Sequence, residues 1–467
     1  MLEKNFKFVF IYLLLKSLFG IKKENNIFFD MNDHRIFNCF TLRSKSWKYR
    51  GEGNANLVLA LTNNNKIIRF QKFSSNEKKK EEKIWFQVDF CREVMQPLLG
   101  KSFVNVPDIV FISDSEINEL NKFIHPFRDV KRLNKEIGSN YATISHDLCF
   151  FSNTSSSFNP NPTFCVEIKP KQGWIPISER YFKKCTFCLN QYLKLKQGTV
   201  KSKTQYCPLD LFSGNHNRMK FAIRSLLECP QNNMKIFKNE NLILDDTNSK
   251  NYKTILEDWF GANEEEKLIE NFTSVITHAL LSEFDDLKWK ANSDDVDEEK
   301  LSHSRISQNL IDEINSIFFN TSLCYDKKYE KLPENCVLNR ILNVQKLDEL
   351  GCDKINQLYD SHPHEDDYDY LHDLLSNPKN ISKHIIRYLL ATTVKDCSIM
   401  IVFQKSPREN TTSLYQNTIK DLNDSKYIFQ IGISDLDPKP ASCIVKHKKR
   451  NNDVINSCIE YYKKKRK

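Results

Sequence analysis

The stretch 47-WKYRGEGNANLVLAL-61 joins a glycine pair to an apolar run. Gly51 and Gly53 allow positive φ angles and let a ligand approach the backbone closely. The apolar run 57–61 is typical of a buried strand, and a second run at 66–70 follows a short polar turn. The two runs predict a hairpin. Two interpretations of the glycine pair stay open: a plain turn, or a turn whose N–H groups cradle phosphate.

Length and charge limit the classes of partner. The chain has 467 residues, enough for two or three domains' worth of core. Its 69 basic and 60 acidic residues give a formal net charge of +9. This mild excess favours anionic partners, which include nucleic acid, phosphorylated small molecules and acidic surfaces, without choosing among them.

The 14 cysteines are not spaced as a compact disulfide framework. We therefore expect them to be mostly reduced and buried, in a protein of the nucleus or cytoplasm. The only Cys-x-x-Cys runs from Cys185 to Cys188, and a zinc site would need a second ligand pair at a suitable spacing. No such pair is evident, so the sequence does not predict a zinc site, and the presence of a structural zinc stays open.

Residues 1–30 are an N-terminal extension of uncertain status. Their apolar run, 8–15, is shorter than the about 20 residues that span a bilayer, and no small-residue cleavage site follows it. A short amphipathic helix and a true start at Met31 both stay open. We predict no membrane-spanning segment.

The hydrophobic pattern predicts an alternation of strands and helices, with a helical insert at about 238–335 and a basic C-terminal tail. Further strands are expected at 106–112, 164–168, 398–403 and 427–433, and helices at 83–99, 116–128, 181–195, 221–228, 337–350 and 385–393.

Two segments place charged residues beside predicted strands. In 164-FCVEIKPKQGW-174, alternation along a strand puts Glu167, Lys169 and Lys171 on one face, which suits either a multiply charged anion or a solvated edge strand. In 391-ATTVKDCSIMIVF-403, Asp396 precedes an apolar strand, where a carboxylate serves as a general base or as half of a surface ion pair.

Two more segments offer ligands for a metal or phosphate. In 427-YIFQIGISDLDPKP-440, Asp435 and Asp437 follow a strand and suit Mg²⁺, with Lys439 beside them, although Asp and Pro also favour turns. In 230-PQNNMKIF-237, Asn232 and Asn233 offer amide donors or a helix cap. Together the four segments and the glycine turn are the parts of a phosphoryl-transfer site.

The absence of known motifs excludes two large classes. The chain lacks the GxxxxGK[ST] motif of P-loop enzymes. It also lacks the HRD and DFG motifs of ordinary protein kinases.

The segments resemble the inositol-pentakisphosphate 2-kinase family, which makes inositol hexakisphosphate (phytate) from inositol 1,3,4,5,6-pentakisphosphate and ATP. The matching segments appear in the family's order: 49-YRGEGNANLVLA-60, 167-EIKPKQG-173, 191-QYLKLKQG-198, 206-YCPLDLFSG-214, 230-PQNN-233, 337-VLNRILNVQKLDEL-350, 391-ATTVKDCSIMI-401 and 435-DLDPKP-440.

The resemblance implies an α+β, two-lobed inositol polyphosphate kinase fold, distantly like that of protein kinases. An N-lobe with an antiparallel sheet would cover residues 31–175, and a larger mixed α/β C-lobe would cover 176–467.

The resemblance also implies roles for single residues, with ATP and Mg²⁺ as cofactors. Asp396 would take the proton from the 2-hydroxyl group, and Asp435 would bind Mg²⁺. The nucleotide would be bound by Arg50, Gly51, Gly53, Asn56, Arg69, Asp147, Glu167 and Lys235. The inositol phosphate would be bound by Arg128, Lys169, Lys171, Lys194, Asn232, Asn233 and Lys439.

Some positions depart from the family. Lys235 stands where the family has arginine, which keeps the charge but loses the two-pronged donor. Ser74 also replaces an arginine, and Asn190 replaces a histidine. The basic and tyrosine positions that follow 435-DLDPKP-440 are not clearly kept: Cys443 and His447 lie near them, and the possible substitutes are Lys446, Lys448, Lys449 and Arg450. These departures leave open a pocket that is less tight or differently selective.

The basic C-terminal segments 446–450 and 463–467 motivate an alternative function, a non-catalytic protein that binds inositol phosphate or RNA. Because no RNA-recognition motif is present, we predict no obligate nucleic-acid partner. A monomer in the nucleus or cytoplasm is the expectation.

Overall fold

The computed structural model describes residues 38–43, 45–62, 64–74, 82–152, 161–284, 330–361, 380–406 and 417–465. They form two six-stranded sheets with helices packed on them, so the predicted α+β class is confirmed. The likeness to a protein kinase and the predicted limits of the two lobes stay predictions. Residues 1–30 and most of the insert after residue 284 lie outside the described residues.

The first sheet has the strand order β1-β5-β6-β4-β3-β2. Its neighbours are antiparallel except β1 and β5, which run parallel. The strands are β1 (Asn38–Cys39), β2 (Trp47–Glu52), β3 (Asn56–Leu61), β4 (Lys66–Phe73), β5 (Asp108–Phe111) and β6 (Glu136–His146).

The predicted hairpin is the pair β3 and β4, in which Leu57 lies opposite Phe70 and Leu59 opposite Ile68. All four side chains are buried in one hydrophobic cluster, and their transfer from water stabilises the sheet. A helix (Asp114–Ile124) packs on the same cluster after a cap in which the Ser113 side chain accepts a hydrogen bond from the backbone of Glu116.

The second sheet is antiparallel throughout, in the order β11-β12-β10-β7-β8-β9. Its central strand β7 carries the Glu167 segment and lies beside β10, which follows Asp396. The strands are β7 (Thr163–Ile168), β8 (Met234–Lys238), β9 (Asn241–Leu244), β10 (Ser398–Lys405), β11 (Asn417–Lys420) and β12 (Lys426–Ser434).

Most helices pack on the second sheet around the larger hydrophobic core. The α-helices are α1 (Glu82–Phe90), α2 (Gln96–Leu99), α3 (Asp114–Ile124), α4 (Thr186–Lys196), α5 (Pro208–Leu211), α6 (His216–Glu228), α7 (Tyr252–Phe260), α8 (Glu265–Leu281), α9 (Val337–Gln345), α10 (Gly351–Asp360), α11 (Asn380–Lys395) and α12 (Cys443–Lys465). A π-helical turn (Cys91–Met95) joins α1 and α2, and short 3₁₀ turns lie at His125–Phe127, Val130–Arg132, Ile177–Glu179 and Ser249–Asn251.

Several local predictions were wrong. The basic C-terminal segment is not a tail: residues up to Lys465 form α12, which packs Val454 and Cys458 against Leu189 of α4. Strand β6 was not predicted, and the described part of the insert contains strand β9 as well as helices. None of the described helices is both long and apolar enough to cross a membrane.

Candidate active site

Asp396 lies between the end of helix α11 and the start of strand β10, where two lysines reach its carboxylate. Lys171 Nζ donates to Oδ1 at 2.9 Å, and Lys439 Nζ donates to Oδ2 at 3.0 Å. These three residues come from segments that are far apart in sequence. The fold thus assembles the predicted base with two of the predicted substrate-binding lysines.

The two lysines keep Asp396 ionised. Desolvation by the surrounding protein would raise the pKa of Asp396, but the ammonium groups of Lys171 and Lys439 outweigh it and hold the pKa well below its ordinary value. The side chain of Asp396 is 55% exposed, whereas the two lysines are about a quarter exposed. The carboxylate therefore faces solvent in a form that can accept a proton.

Asp435 directly follows strand β12 and forms a second charged group near Asp396. Its Oδ2 accepts hydrogen bonds from Lys169 Nζ at 2.9 Å and from Ser398 Oγ at 3.2 Å. Burial would raise the pKa of Asp435, yet Lys169 and the more distant Arg69 lower it overall. Burial would likewise lower the pKa of Lys169, and Asp435 raises it overall. The pair is therefore ionised at neutral pH.

Glu167 completes an oxygen-rich group with Asp435. Ser398 Oγ lies 2.9 Å from Glu167 Oε1 as well as 3.2 Å from Asp435 Oδ2, so the two carboxylates share its single O–H donor. Lys235 lies opposite Glu167 in the β7–β8 register, with its Nζ 3.8 Å from Glu167 Oε2. Carboxylate and hydroxyl oxygens are the donors that a hard divalent cation prefers, so this group fits Mg²⁺.

The loop after β7, which carries Lys169 and Lys171, is held in place by two residues that the sequence did not single out. The side-chain amide of Gln345, at the end of α9, donates to the carbonyl of Lys171 at 2.9 Å and accepts from the backbone N–H of Gly173 at 2.7 Å. The Tyr206 hydroxyl donates to the carbonyl of Pro170 at 2.7 Å. Both residues lie in matching segments, which was the available signal, but only the fold shows what they contact.

The asparagine segment adjoins this loop. The carbonyl of Asn233 accepts a hydrogen bond from the backbone N–H of Lys169 at 2.8 Å, while the Asn233 side chain is buried and donates to the Gln231 carbonyl. Asn232 has a φ of 60°, and its N–H donates to Asp246. The segment is therefore a turn before β8, and its interpretation as a helix cap was wrong.

Lys194 on helix α4 extends the basic surface towards this turn. Its Nζ donates to the Gln231 side chain at 3.1 Å. Burial, together with repulsion from Lys171 and Arg450, lowers the pKa of Lys194. Mutual repulsion with Lys171 indicates that an anion between the two lysines would be stabilised by both.

A cavity of about 130 Å³ lies between the two sheets, next to Asp435. Apolar side chains form one part of its wall, and Asn56 and Arg69 form another. Both of these residues donate hydrogen bonds to Asp437, which follows strand β12 of the other sheet. The wall includes Ile67, Ile84, Val88, Ser145, His146 and Leu436.

The glycine pair forms an irregular end of the β2–β3 hairpin. Gly51 has a φ of 149° and lies where the register of the two strands shifts, and Gly53 N–H donates to the Asn56 carbonyl at 2.8 Å. Arg50 points towards the second sheet, donating to the carbonyl of Glu240, with its guanidinium 3.9 Å from the buried Asp147.

Arg128 is not brought together with the other predicted substrate residues. It is buried, and its guanidinium donates twice to Glu52, at 3.1 and 3.0 Å, beside Lys72, which also bonds Glu52. Two backbone carbonyls take further hydrogen bonds from Arg128. In this arrangement Arg128 stabilises the first sheet, and contact with a ligand would require these bonds to break.

His447, one of the departures from the family, adds no charge to the site. Its Nδ1 lies 2.8 Å from the Tyr388 hydroxyl. Burial, reinforced by the positive charges of Lys395 and Lys439, lowers the pKa of His447 to about 4. The position is therefore neutral at physiological pH.

The site therefore has three parts expected of a phosphotransferase that acts on a polyanionic acceptor. They are the exposed carboxylate of Asp396 between two lysines, the acidic pair Glu167 and Asp435, and the adjacent cavity between the two sheets. The chain belongs to the inositol-pentakisphosphate 2-kinase family, whose sequence model matches residues 49–453.

Similar proteins agree over nearly the whole chain. The chain is 28% identical to the inositol-pentakisphosphate 2-kinase of Danio rerio over 465 residues, which cover 88% of this chain and 92% of that protein. It is 27% identical to the Arabidopsis thaliana protein of the same name over 483 residues, covering 91% and 94%. The predicted enzyme class is confirmed: the chain is a kinase, and its family implies a nucleotide and an inositol phosphate as substrates.

Proposed function

We propose that this enzyme transfers the γ-phosphoryl group of ATP to the 2-hydroxyl of inositol 1,3,4,5,6-pentakisphosphate, giving inositol hexakisphosphate and ADP. The observation that carries the proposal is the Asp396 carboxylate held between Lys171 and Lys439. The names of the relatives support the choice of acceptor.

In this proposal, the five phosphates of the acceptor are met by the lysines around Asp396 and by Lys194. When Lys171 and Lys439 turn to phosphate oxygens, Asp396 loses two stabilising charges, and its pKa rises towards the range of an effective base. The carboxylate then accepts the proton of the 2-hydroxyl as that oxygen bonds to the γ-phosphorus and ADP leaves.

Asp435 and Glu167, joined by Ser398, would hold Mg²⁺, which when bound neutralises charge on the transferring phosphates. ATP would place its base in the cavity between the sheets, with its phosphates near Arg69 and the glycine turn. The lysines Lys169 and Lys235 balance the acidic pair on the side of β7 and β8. We also propose a nuclear or cytoplasmic location for the enzyme, supported by the sequence alone.

The test is turnover by the full chain and by Asp396→Asn, with ATP, Mg²⁺ and the pentakisphosphate, followed by ³¹P NMR. We expect a new 2-phosphate with the wild type and a loss of about 10²- to 10⁴-fold in kcat in the variant, as is typical for removal of a general base. Asp258→Asn is the matched control, because Asp258 pairs with Lys238 and has no contact with Asp396.

Tight calorimetric binding of the pentakisphosphate without any product would instead indicate a non-catalytic inositol phosphate receptor. Full activity of Asp396→Asn, with retained binding, would refute Asp396 as the base.

A further inference from the structure

Three cysteine thiols converge at the beginning of helix α4. Cys185 precedes the first residue of α4, Cys188 lies within its first turn, and Cys207 comes just before helix α5. The Sγ atom of Cys185 is 3.4 Å from that of Cys188 and 3.8 Å from that of Cys207. All three sulfur atoms lie within 4.8 Å of one another, and all three residues carry reduced thiols.

These separations match a metal site. Zinc binds thiolates at about 2.3 Å in tetrahedral geometry, which places neighbouring sulfur atoms about 3.8 Å apart. The three thiols therefore already lie near three corners of a tetrahedron, and small side-chain rotations would complete the arrangement. Thiolate ligands favour zinc over the hard cations that suit the carboxylates of the active site.

The surroundings of the three cysteines favour thiolate formation. The positive end of the α4 dipole lies at Cys185 and Cys188, and two lysines precede Cys185 in sequence. Cys185 and Cys207 are buried against Ile175 and Leu209, whereas Cys188 is partly exposed. Among the described residues, these three thiols supply three of the four ligands of a tetrahedral site.

We propose that Cys185, Cys188 and Cys207 supply three ligands of one Zn²⁺ site. The site was not predicted from the sequence because Cys207 is a single cysteine, 19 residues after Cys188, and not part of a second Cys-x-x-Cys pair.

The metal would fix the segments that carry the lysines of the active site. Tyr206, next to Cys207, donates to the carbonyl of Pro170, which lies between Lys169 and Lys171. Helix α4 carries Lys194, whose ammonium lies 5.7 Å from the ring centroid of Phe187. Zinc thus positions the lysines that bind the acceptor. This effect on the lysines rests on the proposed function, but the binding of zinc to the three cysteines does not.

The first measurement is the zinc content of the full chain, purified under reducing conditions without added metal or chelator. We expect about one zinc per chain by mass spectrometry, matching the convergent thiol group found among the described residues. Replacement of zinc by Co²⁺ should give the near-ultraviolet charge-transfer absorption of cobalt–thiolate bonds.

Variants assign the ligands. Cys207→Ser and, should it not fold, the partly exposed Cys188→Ser should weaken zinc binding by more than the about 10- to 100-fold that follows loss of an outer-shell partner. Cys229→Ser is the control, because Cys229 is also a partly exposed thiol but lies outside the cluster. Its zinc content and cobalt spectrum should equal those of the wild type.

Three outcomes would overturn the proposal: wild-type protein without zinc or cobalt–thiolate absorption, a Cys207→Ser variant that binds zinc as tightly as the wild type, or a Cys185–Cys188 disulfide in place of the metal. In an active enzyme, removal of zinc should raise KM for the pentakisphosphate and leave KM for ATP unchanged. Because the metal readouts need no turnover, they stand even if the proposed reaction is wrong.

Discussion

Asp396 divides its two carboxylate oxygens between two ammonium groups, and this sharing sets its proton affinity. We expect its carboxyl carbon, followed by ¹³C NMR, to show no titration from pH 8 down to pH 4, because Lys171 and Lys439 stabilise the charged form against desolvation. In Lys171→Gln the pKa of Asp396 should rise, since desolvation remains and one of the two opposing charges is gone.

The lowered pKa of Asp396 also makes the free energy of unfolding depend on pH. A carboxyl group with a lowered pKa in the folded state adds stability above its unfolded pKa of about 3.9, and that contribution is lost as the pH falls through the folded value. The control for Lys171→Gln is Lys196→Gln, because Lys196 pairs with the exposed Glu460 and its loss should leave the pKa of Asp396 unchanged. Titration of Asp396 near pH 6 in the wild type would contradict this account.

Besides Asn232, two of the predicted site residues have backbone conformations that non-glycine residues seldom adopt. Lys171 has a φ of 60° and Asp435 a φ of 61°. Such conformations cost on the order of 1 kcal/mol each and persist only where the surrounding structure enforces them. For Lys171, the enforcing contacts are those of Gln345 and Tyr206 to the same loop.

At the scale of elements, the loop after β7 depends on a glycine for space. A Cβ atom on Gly173 would lie 2.2 Å from the buried Phe212 ring, so Gly173→Ala forces the ring or the loop to move. We expect this variant to lower the free energy of unfolding by about 1–3 kcal/mol, the usual cost of overpacking, and to raise KM for the acceptor by displacing Lys171. Urea unfolding and steady-state kinetics measure the two effects.

Gly53→Ala serves as the stability control, because a Cβ atom there comes no closer than 4.0 Å to the Asn56 carbonyl and meets no positive φ. Equal unfolding midpoints for the two variants would show that the Phe212 contact relaxes without cost, contrary to the expectation.

Elements with strong periodicity were predictable from the sequence, and those with mixed signals were not. The β3–β4 hairpin was evident because two apolar runs flank a short polar turn. Helix α12 was missed because its many lysines obscure a narrow apolar stripe, which is buried by packing on α4 and Phe182. The stripe consists of Val454, Ile455, Cys458 and Ile459. Strand β6 was missed because one of its buried positions is a serine, Ser139, and the alternation of buried positions breaks between Ser139 and Ala142.

At the scale of the whole molecule, the sequence identified the segments of the site but not their pairing. Lys171, Asp396 and Lys439 meet only because β7, β10 and β12 are neighbours in one sheet. The buried carboxylate of Glu52 holds Arg128 in the first sheet, and the predicted contact of Arg128 with the inositol phosphate stays a prediction. Cys207, the third ligand of the proposed zinc site, is likewise brought close to Cys185 only by the tertiary structure.

The two sheets are joined across the cavity by contacts to Asp437, and a nucleotide would have to compete with them. Arg69 from β4 and Asn56 from β3 both donate to Asp437 Oδ2. If Arg69 moves from Asp437 to a phosphate of ATP, it exchanges one negatively charged partner for another, and the two sheets keep their relative positions. The charge of Arg69 should therefore matter for the nucleotide and not for the inositol phosphate.

Arg69→Met removes this charge and keeps most of the side-chain volume. Because a hydrogen bond to a charged group contributes about 1.5–3 kcal/mol, KM for ATP should rise about 10- to 100-fold, with KM for the pentakisphosphate within about twofold of the wild type. Arg43→Met is the control, since Arg43 pairs with the exposed Glu119. A parallel rise in both KM values would mean that Arg69 acts by holding the two sheets together, because loss of that contact would disturb both halves of the site at once.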